Sequence, residues 1–439
     1  MARLPSAAVT FALPLFAIAQ APINGPMPGY SECFESIIWL QCHGPCNAHI
    51  DYWREGAPNS IERTPVQQGD PAKAYAMDFV MDHVAPGTTY QYRVLLDNDT
   101  LHFPDTLRFH TQGIWKWRGD PPDFSFATGS CAYVNERPYD RPDGPSGPYG
   151  GDYGIFNSIA ATHPDLMLWL GDNVYLREPD WGSWSGILHR YSHTRSLPEL
   201  QPLLRATHHY AIWDDHDFGP NDADGSFINA ALTTKAFDLF WPNPPCTMPG
   251  VGGIATSFTY ADVDFFLLDD RSFRVPPDVL TDTPTMLGRA QIDHFIRALK
   301  YSDATFKIVA LGGQLLNSAD AYETYSTYPA ERQWIIDRIT QEGIKGVVFL
   351  TGDRHFTELS ELDLPNGQPL YDLTVSPLTS GPYVSKEENK LAVPGTRVGQ
   401  RNFGLLSVSG KRGARNLHIS VRDKDGTELW VRDILQPAK

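Results

Sequence analysis

Leu166-Met167-Leu168-Trp169-Leu170-Gly171-Asp172-Asn173-Val174-Tyr175 is an apolar run that meets a glycine, then a carboxylate, then a phenol. A short unbroken apolar run closed by glycine reads as a strand buried on both faces. Parallel α/β sheets bind ligands beyond the carboxyl ends of such strands. The same rhythm recurs along the chain. Residues 124–131 form a strand that ends in Gly129-Ser130-Cys131, and residues 210–213 run into Asp214-Asp215-His216-Asp217. Residues 263–268 lead to Asp269-Asp270-Arg271, residues 306–311 to Gly312-Gly313-Gln314, and residues 347–350 to Thr351-Gly352-Asp353-Arg354-His355. Helical stretches between these strands, the first over 152–162, predict an α/β core. Polar residues delivered by several strands to one edge mark a site.

Outward from this core the pattern changes. Residues 36–111 carry short alternating strands (37–40, 49–53, 74–80 and 89–96) separated by turns, as in a β-sandwich. Residues 84–94 resemble the turn and strand of fibronectin type III-like sandwiches, where a Tyr near the strand start ties back to the preceding corner. Residues 112–123 (QGIWKWRGDPPD) read as a linker, and residues 405–408, 416–422 and 428–434 as closing antiparallel strands with an Asp425-Gly426 turn. The expected division is a sandwich over 30–112, a linker over 113–123 and a catalytic domain over 124–435.

The N-terminus has one positive charge at Arg3, an apolar stretch over 7–19 and the motif Ala17-Ile18-Ala19. Together these predict a signal peptide over 1–19, and hence a secreted or periplasmic protein. No later stretch reaches the ~18 apolar residues of a membrane span. Of Cys33, Cys42, Cys46, Cys131 and Cys246, the first three are close enough for at least one disulfide, with the pairing open. An odd count in an exported chain leaves a thiol with another task. The chain has 439 residues, with 36 Lys+Arg against 52 Asp+Glu, which excludes a basic nucleic-acid footprint. With 41% hydrophobic and 20% charged residues it is globular, and no internal repeat stands out.

The strand ends offer Cys131, Asp172, Tyr175, Asp215, His216, Asp353 and His355. Thiolate, phenolate and imidazole favour a transition metal, iron being the natural candidate beside a tyrosinate, and carboxylates favour a hard ion such as Ca²⁺ or Mg²⁺. Two metals clamp a phosphoryl group and generate hydroxide near neutral pH. Plainer readings stand beside these. A free Cys commonly packs as a small hydrophobe, Asp215 and Asp217 suit caps and turns, and Asp214 suits a structural role. Arg195 suits an ordinary ion pair, and Asp269 with Arg271 a structural one. His208 and His209 face opposite ways on a strand, and His189 and His193 have no third ligand nearby.

Gly171-Asp172-Asn173-Val174-Tyr175 resembles the G-D-x-x-Y element of purple acid phosphatases and calcineurin-like metallophosphatases. Trp213-Asp214-Asp215-His216 and Gly352-Asp353-Arg354-His355 stand where relatives have G-N-H-[DE] and G-H-x-H. With Gly129-Ser130-Cys131 ahead of them and a D-x-R-x-x-R-like stretch over 269–274, they are similar to the alkaline phosphatase D (PhoD-like) branch. The resemblance implies a four-layer metallophosphatase sandwich flanked by helices behind an N-terminal sandwich, and Fe³⁺ with Ca²⁺ as cofactors. It implies iron ligands Cys131, Asp172, Tyr175 and His355, and a calcium side of Asp172, Asp215 and Asp353, with Gln314 in a ligand position. His216 would assist the leaving oxygen, and Arg195 and Arg354 would grip phosphate. The implied activity is hydrolysis of phosphate monoesters or diesters, small or polymeric, by a metal-bound hydroxide or oxide. The alternatives are a phosphodiesterase or phospholipase D-like enzyme on the same fold, or a secreted calcium-binding protein on an inactive scaffold. The loops at 138–151 and 377–402 would shape the site, the latter as a lid, and Asp180-Trp181-Gly182-Ser183-Trp184 would wall it with aromatics.

Overall fold

Alternation along the strand Ser36–Cys42 sends its side chains into two cores at once. Ile38 and Leu40 meet Ile50, Tyr92, Val94 and Phe109 inside an N-terminal sandwich. Ile37 and Trp39 point the other way, into the main core. The computed structural model describes residues 23–140, 148–244, 248, 250–280, 283–384 and 386–438. The expected signal peptide, Cys246 and residues 141–147 of the 138–151 loop lie outside the described residues.

The sandwich pairs a three-stranded sheet (Ile23–Ser31, Ser36–Cys42, Ala76–Met81) with a sheet centred on Asn47–Arg54 and Thr89–Leu96. Its first strand starts at Ile23, ahead of the boundary expected at residue 30. Tyr90 is the corner tyrosine, its hydroxyl accepting the Ala85 N–H at 2.8 Å. Cys42 and Cys46 form a disulfide, and Cys33 is a free thiol. Trp39 is fully buried and its indole N–H donates to the Leu239 carbonyl at 2.9 Å. Burial of one large apolar side chain stabilises by about 2–3 kcal/mol, so this face is a substantial share of the contact with the main body.

Two six-stranded sheets make that body. One runs His208–Ile212, Leu166–Leu170, Phe124–Gly129, Asn402–Ser409, Asn416–Asp423, Glu428–Leu435; the first three are parallel and the rest antiparallel. The other runs Thr256–Tyr260, Val263–Leu267, Phe306–Leu311, Val347–Thr351, Pro369–Thr374, Glu358–Asp363, with a parallel centre. Phe126 meets Phe265 edge-on across the sheets at 5.4 Å. Helices close both outer faces. Phe156 of the helix Ile155–Ala160 packs on Trp169, and the helices Arg289–Tyr301 and Pro329–Gln341 bury Phe295, Ile335 and Ile339 under the second sheet. The result is the expected four-layer α/β architecture, with the carboxyl ends of both parallel sets at one edge.

The segment 113–123 is clamped at its C-terminal end. Arg415, fully buried, donates to the Pro122 carbonyl (2.8 Å), the Asp123 carboxylate (2.7 Å) and the Gly410 carbonyl (2.6 Å), and pairs with buried Asp262 at 3.0 Å. Removing one partner of a buried pair leaves the other charge uncompensated, at about 3–5 kcal/mol. Arg415→Ala is therefore expected to lower urea-unfolding stability by that order and to speed proteolysis within 113–123; an unchanged midpoint would show that the clamp contributes nothing.

Candidate metal centre

Each strand end turns sharply to present its polar residue. Cys131 (φ 60°), Asp172 (φ 52°), Asp353 (φ 62°) and His355 (φ 54°) all adopt the left-handed conformation just beyond a strand. That region is uncommon for residues with a side chain, and its concentration in one place is characteristic of functional sites. Gly171 (φ 88°) makes the approach possible, because a Cβ there would lie 2.6 Å from Asp214 Cβ.

Among the described residues, potential donor atoms converge in three overlapping groups. Cys131, Asp172 and His355 place one atom each within 4.8 Å of one another, as do Asp172, Asp215 and His216, and again Asp215, Asp222 and Glu323. Asp172 belongs to the first two groups and Asp215 to the last two. Tyr175 joins the first: its hydroxyl donates to Asp172 Oδ2 at 3.0 Å and lies 3.4 Å from His355 Nε2. The other Asp172 oxygen accepts the His216 backbone N–H at 3.2 Å. Asp353 flanks the groups, its carbonyl 3.7 Å from the Cys131 sulfur. Ser376 donates to that sulfur at 3.2 Å, and Ser380 donates to the Tyr175 hydroxyl at 3.0 Å. His355 is oriented by its Nδ1, 2.8 Å from the Gly381 carbonyl.

The electrostatics call for cations. Burial, then the Asp353 charge, pushes the Cys131 thiol up to about 12. Burial and the neighbouring Cys131, Asp215, Asp217 and Asp353 hold Asp172 well above the usual carboxylate range. Burial also raises Asp353, to about 6, despite Arg354. Asp215 goes the other way: burial opposes ionisation, but His216, Arg271 and the Asp222 N–H hold it at about 2. The nearby arginines are committed elsewhere. Arg271 pairs with Asp214 (Nε at 2.8 Å) and Glu323 (2.8 Å), and Arg354 with Glu387 (2.6 Å). A buried thiol, phenol, imidazole and several carboxylates without free counter-charge are the donor set of a mixed metal site, one end soft enough for a transition metal and the other all oxygen. The residues fit the metals that the sequence suggests.

The remaining expectations divide. Arg195 is not at this edge: it is buried against Trp241 (3.9 Å to the ring centre) and Trp39 (5.5 Å), donating to the Phe240 carbonyl at 2.8 Å. Helix residues 184–195 point it inward because its stem and plane pack between indoles. Gln314 is buried, with its amide donating to Thr374 at 2.6 Å and its oxygen accepting from Asn317 at 2.7 Å. Arg354 lies beside Asp353 (3.9 Å) but is held by Glu387. That same contact ties the 377–402 segment to the body, against its reading as a lid. Asp214 and Asp217 form a capping box on the turn Asp215–Phe218, and Asp217 also accepts the N–H groups of Asn173 and Val174. Asp269 organises its own turn through the N–H groups of Arg271 and Ser272. Sequence reading missed Asp222 and Glu323, which follow no apolar strand; Glu323 is recognisable only through its pairing with Arg271 and Arg274.

The family described as PhoD-like phosphatase matches residues 126–422. Alkaline phosphatase D of Bacillus subtilis (strain 168) is 23% identical over 350 residues, covering 69% of this chain and 57% of that protein. The chain thus spans little more than half the length of this curated relative. Among solved structures, that of PhoD covers 97% of the chain (94% of its own) with a TM-score of 0.73 at 17% identity. A purple acid phosphatase isolated from yellow lupin (Lupinus luteus) seeds covers 94% (74% of its own) with a TM-score of 0.69 at 11% identity. At these identities the two structures share the fold.

Carboxyls raised in the folded state bind more protons there than in the unfolded chain, so their contribution to stability is present at low pH and lost as pH rises. For metal-stripped protein the window runs from the ordinary Asp value of 3.8 to the Asp353 value of about 6. Stripping metal is expected to lower Tm more at pH 8 than at pH 4.5, and metal return to restore it; a pH-independent loss would contradict the charge argument.

Proposed function

The chain belongs to the PhoD-like phosphatase family, and on that premise we propose that it is a metal-dependent phosphoric ester hydrolase acting outside the cytoplasm. The observation that carries the reading is Asp172, shared between a group with Cys131 and His355 and a group with Asp215 and His216. A carboxylate common to two donor sets would serve both metals when they are bound. Iron would be held by Cys131, Asp172, Tyr175 and His355, and calcium by Asp172, Asp215 and Asp353. Bound there, the metals would neutralise phosphate charge and lower the pKa of the attacking water.

The protein's own groups do the rest. Ser376 and Ser380 hydrogen-bond the sulfur and the phenol oxygen in their holding positions. The His216 ring lies against Tyr175 at 4.4 Å. Burial lowers its basicity, with Asp215 opposing. A neutral imidazole still carries one N–H, so His216 can hydrogen-bond the departing oxygen at neutral or alkaline pH, while proton transfer from it needs the imidazolium form. Arg354 would have to leave Glu387, with which it pairs at 2.6 Å, to meet a phosphate oxygen. Export is supported by the N-terminal pattern of residues 1–19 and the Cys42–Cys46 disulfide. Among the described residues no helix is long and apolar enough to cross a membrane.

The test is hydrolysis of nitrophenyl phosphate and bis-nitrophenyl phosphate, with and without a calcium chelator. Activity lost on chelation and restored by Ca²⁺ is expected, and the faster ester separates monoesterase from diesterase. Activity indifferent to chelation would remove calcium from the proposal. Cys131→Ala is expected to lose iron, measured by elemental analysis, while the fold persists. His216→Ala is expected to keep its metals and lose roughly 10²–10⁴ in turnover; unchanged turnover would take the imidazole out of the mechanism.

A further inference from the structure

A cavity of about 690 Å³ opens on the candidate metal centre, because Tyr175, His216 and His355 form part of its wall. Four further aromatic side chains, Tyr133, Tyr139, Tyr149 and Trp181, line it as well. From the cluster outward the rings are contiguous: His216 lies 4.4 Å from Tyr175, Tyr175 4.8 Å from Tyr133, and Tyr133 4.6 Å, edge-on, from Tyr149. Tyr139 and Trp181 also line the cavity. Two of these rings remain open to solvent, Tyr139 at 51% and Tyr149 at 44% of their surface, in a protein that buries most of its tyrosines.

The two arginines of the cavity are already engaged. Arg177 pairs with Asp140 at 2.6 Å and covers the Tyr133 ring at 4.4 Å. Arg401 gives N–H groups to the carbonyls of Ser380 (3.2 Å) and Gly151. Beside the polar Asn135, Asn221 and Glu178, the walls therefore offer an incoming group a contiguous run of π surface. Flat rings gain most from such surfaces, through offset and edge-to-face contacts that a saturated ring or short chain cannot make.

We propose that this cavity is the leaving-group subsite, and that it selects phosphate esters whose alcohol carries a planar aromatic ring. The inference rests on the hydrolase reading and narrows its substrate class. In the reaction the P–O bond to the ring-bearing alcohol breaks, a water oxygen forms the new P–O bond, and a proton goes to the departing oxygen, which lies on the His216 side of the cavity. A nucleoside and an aryl-alkyl alcohol share this chemistry, so both are tested.

The experiment compares kcat/KM of the metal-loaded full chain within two pairs of matched leaving oxygens. One pair is adenosine 5′-phosphate and ribose 5-phosphate; the other is 3-phenylpropyl phosphate and 3-cyclohexylpropyl phosphate. The aromatic member is expected to win by about tenfold in at least one pair, and the pair in which it wins identifies the source of the ring. Trp181→Leu and Tyr139→Ala are each expected to reduce that ratio toward one. Tyr139 is half-exposed, so its removal does not endanger the fold. Equal rates within both pairs, or ratios that survive both substitutions, would overturn the inference while leaving the hydrolase intact. No turnover of any of the four, in protein that also fails on nitrophenyl phosphate, would overturn the hydrolase reading and the inference together.

Discussion

Negative charge gathered away from water is the constraint on which this structure turns. Asp172, Asp215 and Asp217 are buried beside the Cys131 thiol and the Tyr175 phenol, with Asp353 at their edge. Isolated ions in such surroundings are disfavoured by many kcal/mol unless paired or bound to metal. The protein has local cations, but it spends them on an outer ring of acids. Arg271 is enclosed by Asp214, Asp270 and Glu323, and Arg274 pairs with Glu323. The inner acids are left for ligands that carry their own positive charge.

The fold holds that unfavourable arrangement by over-determining it. Asp217 accepts N–H groups from Asn173, Val174 and Asp214, lashing together the ends of two neighbouring parallel strands. Ser376 and Ser380 reach in from the segment after the Pro369–Thr374 strand, so both sheets contribute to the same few atoms. The left-handed residues at the strand ends are stable only because these contacts hold them.

How much of this could be read in advance follows from how each residue is placed. Cys131, Asp172, Asp215 and His355 come directly after apolar strands, and a parallel sheet brings successive strand ends together whatever the loops do. The structure assembles those residues at one edge. Asp222 and Glu323 come from loops: the Asp222 N–H is held by Asp215 at 2.6 Å, and Glu323 by Arg271 and Arg274, which lie far from it in sequence. Arg195 carries a functional-looking charge, but the indoles that enclose it, Trp39 and Trp241, come from remote segments, and no local pattern announces them. Gln314 sits at a strand end like the ligands, yet Thr374 and Asn317 claim its amide. Strand periodicity reveals the edge on which a residue emerges; it does not reveal which partner reaches that residue first.

The strand Ser36–Cys42 has a consequence for how such proteins diversify. A sheet whose two faces belong to two different cores cannot be passed between proteins as a cassette, since cutting within residues 113–123 would bare Ile37 and Trp39 on one piece and their receiving surface on the other. Recombination at those residues would still break a core. The two parts of the chain are therefore constrained to evolve as a single heritable unit, with change on one side of Trp39 answered by repacking on the other.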